Sequence, residues 1–192
     1  MPLNSKRTFI AVKIKTDNIF LHELEKIRKD LQMENIRWVK PDNLHITLRF
    51  LGDTSENLVN KISGVMEKHV TKTQPFSFVI RSLDVFRSLK YPRVMWMGLD
   101  NTDALVKLKN IVDKSLSGLL PEEDTDNFNP HLTIGRMKYI NDRELLKELL
   151  AGYMDHKFMD VNVDQLFFFE SILDREGASY KVISSCKLRG NY

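Results

Sequence analysis

Asn43-Leu44-His45-Ile46-Thr47-Leu48-Arg49-Phe50 is the stretch from which the rest of the chain can be read. Apolar residues at 44, 46, 48 and 50 alternate with polar ones at 43, 45, 47 and 49. A period of two marks a half-buried strand, because successive side chains point to opposite faces. His45 and Thr47 then share one face, and Leu44, Ile46 and Leu48 anchor the other in a core. The pattern returns at Pro130-His131-Leu132-Thr133-Ile134-Gly135-Arg136, with His131 and Thr133 on one face and Leu132 and Ile134 on the other. With five His and nine Thr in 192 residues, two His-x-Thr pairs arise by chance with a probability of roughly 2%. The echo points to a two-histidine site built from two similar halves.

Working outward, Thr8 to Ile14 reads as a strand, and Asp17 or Asn18 caps a helix running to about Met33. Ile36 to Val39 is extended, and Pro41-Asp42-Asn43 turns the chain into the His45 strand. Gly52-Asp53-Thr54-Ser55 is expected to end that strand and cap a second helix through Leu58, Ile62, Val65 and Met66. Strands at Pro75 to Leu83 and Val94 to Leu99 flank a basic loop from Arg87 to Arg93. A third helix runs through Leu105 to Leu116, and an acidic loop from Leu120 to Asn129 leads into the His131 strand. Asn141-Asp142-Arg143-Glu144 starts a fourth helix. Lys157 to Glu170 is a long, broken strand, and Ser179 to Leu188 is a last one after a turn at 174–177. Phe9 precedes His45 by the same number of positions as Met95 precedes His131. This equal spacing supports duplicated β-α-β-α-β units at about 7–84 and 93–170, plus a C-terminal strand at 179–188, in a single bilobal domain over 1–192.

Hydrophobic content of 42% and charged content of 29% describe an ordinary globular protein. A net charge of +3 is compatible with a phosphate-bearing substrate and falls short of the basic stripe of a tight nucleic-acid binder. Cys186 stands alone, so disulfide frameworks and Cys-based metal clusters are excluded, and it reads as a small buried strand residue. The N-terminus lacks a signal-peptide apolar core and no apolar run approaches a membrane span, so a cytoplasmic protein is expected.

Two imidazoles facing one cleft suit general acid–base catalysis, one accepting a proton while the other donates. Two hydroxyls beside them can hydrogen-bond a tetrahedral anion. Arg136, five residues after His131, can supply a fixed charge to phosphate oxygens. Together they make a phosphodiester site that needs no metal. Zinc usually takes three or four N, S or carboxylate ligands, and the two motifs offer two His with neutral Thr. His22 and His156 have no partner at ligand spacing and read as surface residues, and His69 as a structural residue of the second helix. No glycine-rich phosphate loop is present, and no cofactor is expected.

These residues resemble the 2H phosphoesterases, and within them the RNA 2′,3′-cyclic phosphodiesterases, also called 2′-5′ RNA ligases. The resemblance covers nearly the whole chain. It includes Phe9-Ile10-Ala11-Val12, both His-x-Thr motifs, Phe50-Leu51-Gly52, Pro92-Arg93-Val94-Met95-Trp96-Met97-Gly98, Arg136, and Phe168-Phe169-Glu170-Ser171 before a Tyr180 strand. Asn129 departs from the pattern, since a His is common there in bacterial members. The resemblance implies an α+β, bilobal fold with two mainly antiparallel sheets around a central cleft. It implies hydrolysis of RNA 2′,3′-cyclic phosphate ends to 2′-phosphomonoesters, with His131 as base and His45 as acid. Thr47, Thr133 and Arg136 would hold the phosphate, and two roles are open to Phe9: stacking on a base, as aromatic side chains do with unpaired nucleotides, or plain core packing. The implied partners are RNA ends or short oligonucleotides, with no membrane and no obligate protein partner. Two alternatives stand beside this reading: another 2H activity, on 2′-5′ oligonucleotides or ADP-ribose cyclic phosphate, and an RNA-binding module without turnover.

Overall fold

The structure, a computed structural model, describes residues 5–86, 88–120, 128–174 and 177–190. The acidic loop expected at 120–129, the start of the basic loop and the tip of the last turn lie largely or partly outside these residues. Nine strands and four helices follow one another among the described residues. They are β1 (Ser5–Lys13), α1 (Asn18–Asp30), β2 (Asn35–Trp38), β3 (His45–Ser55), α2 (Glu56–Val70), β4 (Phe76–Phe86), β5 (Val94–Asp100), α3 (Asp103–Leu116), β6 (Leu132–Tyr139), α4 (Arg143–Gly152), β7 (Lys157–Val163), β8 (Gln165–Asp174) and β9 (Gly177–Lys187). The fold is α+β, with all strand pairs antiparallel.

The helices begin where side chains can satisfy the first-turn amides. Asp17 accepts from the Phe20 amide at 2.8 Å, and Asp142 from Leu145 at 2.9 Å. Ser55, which closes β3, accepts from Leu58 at 3.4 Å. Phe20, Leu24 and Ile27 of α1 and Val59, Ile62 and Met66 of α2 recur at helical spacing and bury one stripe each.

One sheet has the order β3-β1-β8-β9 and the other β2-β6-β5-β4-β7. The segments 7–84 and 93–170, expected as repeats, do not each close into one sheet. β4, from the first segment, lies between β5 and β7, while β8, from the second, lies against β1. The break expected within 157–170 is the crossing point: Asp164 alone separates β7 in one sheet from β8 in the other. The halves are therefore interlocked, and unfolding one strips a strand from the other.

Each sheet turns one face to a common core and the other to a cleft. Ile10, Val12, Leu44, Ile46, Leu48 and Phe168 belong to the core face of the first sheet, and Met95, Met97, Leu132 and Ile134 to that of the second. Phe9, Ala11 and Phe169 form a separate small cluster on the opposite face of the first sheet. Cys186 is buried, as expected of a small strand residue.

The alternation in the His45 stretch does not run unbroken. Ala11 pairs with Thr47 but Ile10 pairs with Arg49, so Leu48 is an extra residue in β3. Such a bulge shifts the side-chain phase by one. Phe50 consequently leaves the core side and is 65% exposed, while Arg49 is buried. A second bulge at Leu51, followed by Gly52 at φ +66°, lets β3 continue to Ser55 rather than end at Gly52. β6 repeats the device at the same offset from its histidine. Trp96 pairs with Thr133 and Met95 with Gly135, leaving Ile134 as the extra residue.

Candidate active site

His45 and Thr47 come from β3, Thr133 and Arg136 from β6, and His131 from the residue before β6; all five line one cavity of about 410 Å³. The two His-bearing segments belong to different sheets, so the cleft is the seam between the sheets. Arg136 reaches it because of the bulge at Ile134. An odd offset of five from His131 would otherwise place it on the core face. The equivalent offset from His45 is Phe50, which lines the same cavity. One wall thus offers a cation and the other an aromatic ring at matching positions.

Both imidazoles are anchored alike. His45 Nδ1 lies 2.6 Å from the Asn43 carbonyl oxygen, and His131 Nδ1 lies 2.9 Å from that of Asn129. A carbonyl only accepts, so Nδ1 carries the hydrogen in each ring and Nε2 is the nitrogen available for proton exchange. Asn129, the departure noted in the sequence, contributes to this anchor through its backbone carbonyl. Aromatic neighbours brace the rings. Phe9 and Tyr180 stand 4.9 and 5.0 Å from the His45 ring, and Phe86 stands edge-on at 4.7 Å from His131.

Burial pushes His45 below the ordinary imidazole range. Its hydrogen bond to Asn43 works against this, and the charges of Arg136 and His131 add to it. Burial likewise raises the Tyr180 phenol, over the opposing pull of Arg136 and Arg7, so its hydroxyl keeps its proton at neutral pH. Behind the site, Arg49 and Lys109 hold Asp113 of α3 at 3.1 and 2.7 Å, tying the core side of β3 to a helix.

Of the two roles open to Phe9, its burial favours packing. It borders the cavity but is 2% exposed, with Phe169 stacked at 5.2 Å and Tyr180 edge-on at 4.9 Å. An enclosed ring presents no free face to a base; its place is behind His45. Sequence reading missed Phe50 and Phe86 as lining residues, and only the register of the strands reveals Phe50. His22 and His69 are exposed, but His156 is half-buried and packs on Phe158 at 4.6 Å. Among the described residues no three His, Cys, Asp or Glu side chains cluster as a metal site would require. None of the described helices is long and apolar enough to cross a membrane.

The profile described as LigT like phosphoesterase matches residues 18–96. A Thermotoga maritima protein named RNA 2′,3′-cyclic phosphodiesterase is 34% identical over 96% of this chain and 96% of its own length. Its namesake from Methanocaldococcus jannaschii is 32% identical over 92% of this chain and 98% of its own. Among solved structures, one from Thermus thermophilus matches with a TM-score of 0.79 at 23% identity, covering 97% of this chain and 100% of that one. Escherichia coli LigT matches with a TM-score of 0.71 at 19% identity, covering 96% and 98%.

Proposed function

Because this chain belongs to the RNA 2′,3′-cyclic phosphodiesterase family of LigT-like 2H phosphoesterases, we propose that it hydrolyses RNA 2′,3′-cyclic phosphate ends to 2′-phosphomonoesters. One observation carries the reading: two imidazoles from opposite sheets, each fixed through Nδ1 to a backbone carbonyl, share one cavity with two threonines and an arginine. A module that only bound RNA would have no use for two such poised Nε2 atoms.

His131 Nε2 takes a proton from water, and the water oxygen bonds to phosphorus. The P–O3′ bond breaks, and His45 Nε2 delivers its proton to the departing 3′ oxygen. Thr47, Thr133 and Arg136 hold the phosphate oxygens, whose charge-assisted hydrogen bonds strengthen as negative charge builds up. Burial and the nearby cations favour neutral His45 before substrate binds. An anionic phosphodiester seated between Arg136 and His45 reverses that field, so the acid gains its proton as substrate binds. Phe50, exposed on the wall opposite Arg136, supplies the stacking face for the terminal base.

The test is incubation with a short RNA ending in a 2′,3′-cyclic phosphate, with EDTA present, followed by product mapping. Conversion to a 2′-phosphate is expected. A 3′-phosphate product would reverse the leaving group, and activity lost to EDTA and restored by zinc or manganese would end the two-histidine scheme.

A further inference from the structure

The catalytic cavity opens into a second one, of about 540 Å³, and Val39, Arg136, Leu173, Ala178 and Tyr180 line both. The second cavity lies between the edge strand β2, with the turn after it, and the start of β9. Arg136 sits in a row that crosses the sheet, with Val94 of β5 on one side and Arg37 of β2 on the other. Directly opposed residues of an antiparallel pair share a face, with Cβ atoms about 5 Å apart. Arg37 and Arg136 therefore project side by side from the cleft face. Both are exposed, and among the described residues neither has a carboxylate within salt-bridge distance.

Like charges set directly opposite destabilise a sheet. A cation pair kept in register at the mouth of an anion site calls for anions to offset it. Arg37 also reaches across the cavity: its Cδ stands 3.8 Å from where a Cβ on Gly177 would lie, at the start of β9. Lys40 adds a cation to the lining, and among the described residues Asp42 is its acidic member. Tyr180 offers an aromatic ring between the two cavities.

We propose that the second cavity receives the nucleotide on the 5′ side of the cyclic end, with Arg37 holding the internucleotide phosphate next to the phosphate held by Arg136. The preferred substrate is then an RNA of two or more nucleotides, not a free nucleoside cyclic phosphate. This rests on the phosphodiesterase reading above and adds a polymer requirement to it.

The experiment compares kcat/KM for adenosine 2′,3′-cyclic phosphate with that for a trinucleotide ending in the same group. The parent enzyme should favour the trinucleotide by about tenfold or more at low salt, the effect of one charged phosphate contact. Arg37→Ala should bring the ratio close to one, and Arg37→Lys, which keeps the charge but not the fork, should keep part of it. The trinucleotide KM should also rise more steeply with salt, by a slope of about 0.7 for the extra phosphate contact, and Arg37→Ala should lose that increment. A parent enzyme that turns over both substrates alike would overturn the inference and leave the phosphodiesterase reading standing. Arg37→Ala lowering both rates by one factor would do the same. Hydrolysis of neither substrate by a protein that melts cooperatively would bring down the phosphodiesterase reading, and the inference with it.

Discussion

Phe9 and Phe50 face each other in register on β1 and β3, yet their environments call for opposite phenotypes. Phe9 is 2% exposed and Phe50 is 65% exposed. Phe9→Ala removes a ring packed against Phe169, Tyr180 and His45. A buried Phe→Ala change costs about 3–5 kcal/mol. For a chain of this size that lowers the thermal midpoint by roughly 6–20 °C. It also removes the wall behind His45, so kcat should fall with stability. Phe50→Ala leaves little cavity behind, and its effect on the midpoint should stay within about 2 °C. Its loss should appear in KM for RNA instead, because stacking on one base is worth about 1–3 kcal/mol, or roughly 5- to 150-fold. Phe50→Trp should restore binding. Thermal melts and steady-state kinetics on the cyclic-phosphate RNA measure both arms. A Phe9→Ala enzyme with a parental melt and a defect confined to KM, beside a silent Phe50→Ala, would refute the assignment of ring to role.

Replacing His45 or His131 by Ala should each cost on the order of 10²–10⁴-fold in kcat/KM, and the double variant less than the product, since the pair acts as a unit. The parent profile against pH should be a bell, and a His45→Ala enzyme as fast as the parent would sink the scheme. Arg136→Ala should lower turnover by about 10²-fold with an unshifted melt, because the side chain is exposed in the cleft; full activity would assign the phosphate to other groups. His45 is held below its ordinary range, so the unfolded chain binds the extra proton first. Its contribution to stability is present above the unfolded imidazole value, about 6.5, and is lost as pH falls through the folded one. Melts across this range should show stability declining with acidity, and a His45→Gln variant should show a shallower decline; an equal slope in both would remove His45 as the cause.

The period-two pattern around His45 and His131 was enough to place both strands, both core faces and the pairing of His with Thr. These are local properties: alternation along an extended chain fixes which side chains share a face without reference to any partner. The helix starts were legible for the same reason, since Asp17, Ser55 and Asp142 act on amides three residues away. The equal spacing of Phe9 to His45 and Met95 to His131 led to the expectation of a duplication. It could not disclose that β4 and β8 trade sheets, because strand order depends on partners distant in sequence.

What only the tertiary structure decided follows from the two bulges. Strict alternation sends the fifth residue after a histidine to the face opposite the imidazole. An extra residue three places after each histidine, at Leu48 and Ile134, reverses that phase and brings Phe50 and Arg136 into the cleft. Neither Leu48 nor Ile134 has a side chain that announces a bulge, and both are buried like their neighbours. The extra residue exists only relative to the adjoining strand, β1 or β5, whose register no single stretch of sequence contains. By itself the sequence determined the two His-x-Thr strands and the chemistry they suit. The pairing of strands decided that a cation and an aromatic ring stand beside them, and that Phe9, enclosed by Phe169 and Tyr180, supports the site from behind.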